Sequence, residues 1–392
     1  MDTVRFLFAP TPRIVFGPGR FAELPETVRR FGTQVLVVTG SESYKQQGRW
    51  DRLLSGFKEL GVIEHHATIS GEPSPEDIDE ITARFSGVEF DVVVGIGGGS
   101  VIDAGKAVSA MLKSEGSVID YLEDVGTRKP TGLKVPYIAV PTTAGTGSEA
   151  TKNAVISRVG KGGFKKSLRH DHYVPDIALV DPELMLSVPR HVTAACGMDA
   201  FTQLLEAFVS TNASPITDAL ARSGLECTAR SLIAVSGQGA TDIGHRTNMA
   251  YAALTSGIVL ANAGLGVVHG IAGVLGGMFD IPHGVACGTL LAESMRLTIE
   301  KLRITDRQSP VLVKFADIGA MLSGNSEGSV DSKCNRLIEI LRRWTDELDI
   351  PQLSDYGISD GDIDRIVAAS GNKNNPVALD QQEMAALLRT RL

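Results

Sequence analysis

The hydrophobic pattern changes character partway along the chain. In the first part, short and almost wholly apolar runs recur at Val35–Thr39 (VLVVT), Asp91–Ile96 (DVVVGI), Tyr137–Pro141 (YIAVP) and Ile177–Val180 (IALV). Polar segments suited to helices lie between them, among them Arg49–Leu60 and Pro75–Phe85. Apolar strands alternating with helices predict a parallel sheet covered on both faces. Ser74-Pro75-Glu76-Asp77 supplies a helix start, with a capping serine, proline at the first helical position and acids at the positive end of the dipole. Lys113–Thr131 reads as a polar, glycine-dotted excursion within this part.

After Val180-Asp181-Pro182 strand-like runs become rare, and helical stretches dominate at Gly197–Ser210, Pro215–Val235, Arg246–Ala263 and Ser329–Leu348. The expectation is an α/β domain with a parallel sheet over residues 1–182 and an all-α domain over 183–392. A length of 392 residues fits two cores better than one. Thr247 to Phe279 holds no Asp, Glu, Lys or Arg, which exceeds the roughly 20 residues of a spanning helix. It also holds Asn248, Asn262, His269 and many glycines, so two buried helices meeting at a turn explain it better.

Composition narrows the class. The net charge of −8 argues against nucleic acid or anionic membrane as partner. Four cysteines with no CxxC pair suit a reducing compartment, and the charged N-terminal stretch lacks a signal-peptide core, so a cytoplasmic location is expected.

Two loops carry chemistry. Asp91-Val-Val-Val-Gly-Ile-Gly-Gly-Gly-Ser100-Val-Ile-Asp103 is a strand, a glycine turn and a helix start. Glycines let the backbone approach a ligand closely, and the helix start offers free N–H groups to a pyrophosphate. It departs from GxGxxG, because Ser100 stands where the third glycine belongs. Pro141-Thr-Thr-Ala-Gly-Thr-Gly-Ser148-Glu149 follows another strand and offers hydroxyl and backbone donors. Two such loops at strand ends predict a nucleotide crevice.

A second constellation lies in the helical part. Asp199 and Gln203 are four apart and share a helical face. His269 and His283 would stand roughly 21 Å apart on one continuous helix, too far to share an ion. Gly276-Gly277 and Asp280-Ile281-Pro282 break any such helix, and a turn there can bring both imidazoles to Asp199. Each histidine alone reads as a hydrogen-bonded core residue. Together with Asp199 and the Gln203 amide oxygen they read equally as ligands for Fe²⁺ or Zn²⁺.

The segments Gly97–Lys106 and Pro141–Glu149, the Gly197-Met-Asp199 triplet and the His269-to-His283 spacing ending in Pro282-His283-Gly284 resemble the iron-containing (group III) alcohol dehydrogenases. The resemblance spans residues 15 to 290. It implies a Rossmann-like α/β domain followed by an all-helical domain, in a dehydroquinate synthase-like architecture with the active site in the cleft. It also implies hydride transfer between NAD(P) and a small alcohol or aldehyde, in homodimers or larger assemblies. By this resemblance Gly97, Gly98, Gly99 and Ser100 hold the pyrophosphate. Thr142, Thr143 and Ser148 contact the dinucleotide, Asp103 and Thr146 belong to the same site, and Lys165 lies near the ribose. Asp199, His269 and His283 fall on metal ligands and carry catalysis.

Three departures bear on the chemistry. Gln203 stands where the family usually has a ligand histidine. Gly273 stands where a second histidine usually serves proton relay. VLVVT ends in Gly40 where NAD-preferring members carry an aspartate, so a 2′-phosphate is not repelled, and Ser41, Ser43 and Lys45 are placed to bind it; NADP is favoured over NAD. Related folds acting on polyols, glycerol phosphates or dehydroquinate-type substrates are the second reading. A metal-free nucleotide-binding protein is the third.

Overall fold

In a computed structural model that describes residues 5–40, 48–160 and 162–392, eight strands precede every long helix of the second part. They are β1 (Arg13–Phe16), β2 (Gln34–Gly40), β3 (Ile63–Ile69), β4 (Val92–Gly97), β5 (Tyr137–Pro141), β6 (Asn153–Arg158), β7 (Phe164–Arg169) and β8 (Ile177–Val180). Six form one parallel sheet in the order β1-β8-β5-β4-β2-β3. Its interior strands are the four apolar runs, and every residue of β4 and β5 is buried. The edges, β1 and β3, escape the apolar-run criterion. β3 reads IEHHATI, with the polar residues an edge strand tolerates.

Helices α1 (Leu24–Arg29), α2 (Arg49–Glu59), α3 (Pro75–Arg84) and α4 (Gly99–Met111) cover the sheet. The predicted α3 start is a full capping box: Ser74 Oγ accepts from Asp77 N–H at 3.1 Å, and Asp77 accepts from Ser74 N–H at 2.8 Å. β6 and β7 form a separate antiparallel hairpin, which the sequence pattern had not indicated. Residues 113–131 are largely irregular, with one short turn of 3₁₀ helix at Val118–Tyr121.

The second part is helical: α5 (Arg190–Phe208), α6 (Pro215–Val235), α7 (Ile243–Ala263), α8 (Val267–Met278), α9 (His283–Thr305), α10 (Pro310–Ser323), α11 (Val330–Glu347), α12 (Ile363–Ala369) and α13 (Gln381–Arg389). The uncharged stretch is α7 and α8, which meet at 103°. No single helix among the described residues is long and apolar enough to cross a membrane. Both helices contribute to the apolar core that also takes in α5, α6 and α9.

The two parts are packed against each other. Ala150, Ala178 and Val180 form an apolar cluster with Ala250, Leu254 and Ile258 of α7. Beside it Gly147, at φ +62°, lies so close to α7 that a Cβ there would stand 2.4 Å from Gly257 N. Only glycine permits both that conformation and that approach. The threonine loop is thereby fastened to the helical part.

Candidate active site

The strand order reverses between β2 and β4. From β2 the chain steps outward to β3, and from β4 it steps the other way to β5 and β8. Ligands of open α/β sheets bind at such a point, beyond the carboxyl ends of the strands. A cavity of about 420 Å³ opens there, lined by Gly40, Arg49, Trp50, Gly98, Thr142, Thr143, Val188 and Val192 among others. Gly97 ends β4, Gly98 caps α4, and Gly99 and Ser100 form its first turn. At Gly99 a Cβ would meet Thr146 at 2.7 Å, so glycine lets the two loops touch.

Asp103 and Ser148 are hydrogen-bonded to each other. Lys106 Nζ, also buried, donates to Ser148 O at 2.9 Å, Ser148 Oγ at 3.0 Å and Thr151 Oγ1 at 3.2 Å. These residues therefore lock the threonine loop onto α4. Burial is the first cause of each shift here: Asp103 is raised, Lys106 is lowered to about 8 and the neighbouring Glu149 is raised to about 7. Lys165 pairs with Glu72 and packs over Gly276 of α8, within electrostatic reach of Asp103 and His283. Ser41, Ser43 and Lys45 lie outside the described residues.

Thr143 links the crevice to a polar cluster. Thr143 contacts Cys196 of α5, one turn before Asp199. Asp199 Oδ1 is 3.3 Å from His269 Nε2 and 3.8 Å from His283 Nε2. The break after α8 does what a continuous helix cannot: His283 opens α9, and the two imidazole centroids stand 5.4 Å apart.

Two members of this cluster escaped the sequence reading. Cys287 Sγ is 3.5 Å from His269 Nε2 and 3.7 Å from His283 Nε2. It lies one helical turn after His283, the spacing that shares a face. Glu206, fully buried on α5, accepts from Val268 N–H at 2.7 Å and lies 2.7 Å from His269 Nδ1. It fixes the imidazole so that Nε2 points to Asp199. Its signal was present, because Asp199, Gln203 and Glu206 follow the i, i+4, i+7 pattern of one face. Gln203 donates its amide N–H to Asp199 Oδ1 at 3.2 Å, while its Oε1 accepts from Ser256 Oγ at 2.7 Å.

Burial alone would raise Asp199, but His283 and His269 outweigh it and hold the carboxyl below its ordinary range. Desolvation pushes His283 down to about 4 and Cys287 up to about 11. His269 is held high against its own burial by Cys287, Asp199 and Glu206. His283 Nδ1 is buried and has no hydrogen-bond partner among the described residues. One carboxylate oxygen, two imidazole nitrogens and one sulfur thus lie within 4.8 Å of one another. That donor set suits a divalent transition metal.

Comparison with known proteins decides the family. The profile of the iron-containing alcohol dehydrogenases matches residues 10–182, and that of the family's C-terminal part matches residues 193–392. The chain belongs to the iron-containing alcohol dehydrogenase family. It is accordingly an oxidoreductase acting on CH–OH groups, and the family implies a divalent metal and a nicotinamide dinucleotide. Long-chain-alcohol dehydrogenase 1 of Geobacillus thermodenitrificans is 34% identical over 369 residues, covering 93% of this chain and 90% of its own. A solved 1,3-propanediol oxidoreductase superposes with a TM-score of 0.86 at 30% identity, over 99% of this chain and 100% of its own. The sulfoacetaldehyde reductase of Bifidobacterium kashiwanohense, solved with NAD⁺, gives 0.84 at 25% identity over 99% of each chain.

Proposed function

We propose that this protein interconverts a small alcohol and its aldehyde, with residues 1–182 seating the dinucleotide and residues 183–392 holding the metal. Asp199, His269 and His283 are the metal ligands in this reading. The observation that carries it is their convergence, from α5, α8 and α9, behind the wall formed by Thr143 and Cys196. When bound, the metal supplies Lewis acidity toward the substrate oxygen and the dinucleotide supplies the hydride chemistry.

The chain's own residues set the geometry. The glycine turn and the N-terminus of α4 bind the pyrophosphate, and Thr142 and Thr143 carry the dinucleotide toward the cluster. Glu206 holds His269 in one orientation. The Gln203 amide holds Asp199. With Gly273 in place of a relay histidine, the alcohol proton leaves through water, since a Cβ at Gly273 would meet nothing within 4 Å.

NADP is the favoured dinucleotide. Gly40 ends β2 without a carboxylate, and Arg49, whose guanidinium donates to Glu183 O at 3.0 Å, lines the same cavity. The test is reduction of NADP and of NAD, followed by absorbance, across a panel of alcohols. It is run on protein as purified, after chelation, and after Fe²⁺ or Zn²⁺ is returned. Activity that survives complete metal removal contradicts the reading.

A further inference from the structure

The cluster contains one more donor than the proposed ligand set uses. Cys287 is completely buried, and its sulfur faces two imidazole nitrogens at 3.5 and 3.7 Å. The other buried cysteine, Cys334, has an ordinary core environment in which its sulfur donates to Leu312 O at 3.4 Å. A buried cysteine normally behaves as a small hydrophobe, and Cys334 does. Cys287 is placed otherwise.

The spacing of the four donors is informative. Around a tetrahedral ion with bonds of about 2.0 Å to N or O and 2.3 Å to S, the edges are roughly 3.3 Å between N or O donors and roughly 3.5 Å from S to N. The observed N···O separations are 3.3 and 3.8 Å, and the S···N separations 3.5 and 3.7 Å. Gln203 is the weaker claimant to the fourth position, because its amide is neutral and is already shared between Asp199 and Ser256, whose hydroxyl also donates to Ala253 O at 2.7 Å. The position where a neutral amide replaces an imidazole on α5 is thus matched by a thiol on α9.

Charge points the same way. Of the ligands proposed above only Asp199 is anionic, since the Glu206 carboxylate is engaged by His269 Nδ1 and Val268 N–H, and a thiolate would place a second anion in direct contact with the ion. Binding releases the thiol proton to solvent as the metal–sulfur bond forms. We propose that Cys287 is a thiolate ligand of the metal, giving an Asp–His–His–Cys shell that selects Zn²⁺ more strongly than Asp–His–His alone. The proposal rests on the metal site proposed above. Thiolate softness is the reason for the preference.

The test uses the full chain, stripped with a chelator and titrated with Co²⁺. Elemental analysis measures occupancy, and near-ultraviolet absorption reports thiolate-to-cobalt charge transfer. Wild type is expected to take up one Co²⁺ per chain and show the band, and Cys287→Ser to bind Co²⁺ more weakly without it. Co²⁺ bound by wild type with no band, or a band that persists in Cys287→Ser, overturns the thiolate assignment and leaves the metal site standing. Failure of wild type to bind Co²⁺ overturns both. In anaerobic competition between Zn²⁺ and Fe²⁺, the bound Zn:Fe ratio should fall about tenfold in Cys287→Ser; an unchanged ratio overturns the selectivity.

Discussion

The dinucleotide crevice and the donor cluster share a wall, yet they are built by opposite means. The part of the crevice proposed for the pyrophosphate is backbone: a glycine turn and the N-terminus of α4. The cluster is side chains alone, from α5, α8 and α9, at residues spread from Asp199 to Cys287. A backbone site persists under most side-chain changes, because its donors belong to the fold. A side-chain site depends on each member, because every buried charge relies on its partners. Substitutions should therefore separate the two, and the largest effect should fall on the cluster. Asp199→Ala removes a proposed ligand, and losing it would forfeit several kcal/mol of Lewis-acid stabilisation, so turnover should fall roughly 10³-fold. Dinucleotide affinity, measured by fluorescence titration, should stay within about twofold. A parallel loss of dinucleotide binding would show that the two sites are not separable.

The same difference explains what could be read from the sequence. The glycine and threonine loops are contiguous, so residues 95–103 and 141–149 announced themselves, and the four interior strands did so by being apolar on both faces. Edge strands β1 and β3 did not, because half-exposed strands carry polar residues. Asp199, His269 and His283 were legible as candidates, and the break at residues 279–282 made their meeting possible. Cys287 and Glu206 were passed over for a physical reason. Spacing puts Glu206 on the Asp199 face and Cys287 on the His283 face, but only the packing of α9 and α8 against α5 turns both toward the cluster. Gln203 was legible as a departure, but which end of its amide faces Asp199 depends on Ser256, 53 residues away.

The crevice has its own buried liability, and pH exposes it. Glu149 is raised to about 7 by burial, whereas its unfolded value is 4.5. Between those values the unfolded chain gives up a proton that the folded chain keeps, so this group's contribution declines as pH rises from 4.5 to 7. The magnitude is on the order of 3 kcal/mol, about a hundredfold in the folding equilibrium. Glu149→Gln has no proton to lose. Its thermal midpoint should match wild type at pH near 4.5 and exceed it above pH 7. A constant difference at both ends would contradict the assignment.

On the cluster side, Glu206→Gln keeps the shape that accepts from Val268 but removes the charge beside His269. Loss of such an outer partner typically lowers metal affinity by about 10- to 100-fold. Competition with a chromophoric chelator measures it. Metal affinity equal to wild type would mean that His269 is oriented by packing alone.

The smallest effect probes the crevice at the end of β2. Gly40 closes β2 and lines the cavity together with Arg49 and Trp50. If the adenosine ribose lies there, Gly40→Asp sets a carboxylate near the 2′-phosphate of NADP, which carries close to two negative charges. At a separation of about 6 Å in water their repulsion is roughly 1 kcal/mol, a five- to tenfold loss of NADP affinity. NAD has only a hydroxyl there, which a carboxylate can accept from, so NAD affinity should hold or rise. The change is read as the ratio of the two dissociation constants, which cancels any general disturbance of the turn. Salt sharpens the reading: the ratio should shrink as ionic strength rises, because exposed charges are screened. A salt-independent ratio would mean that the substitution acts through shape. The cavity would then be confirmed as a binding site without its 2′ end lying at β2.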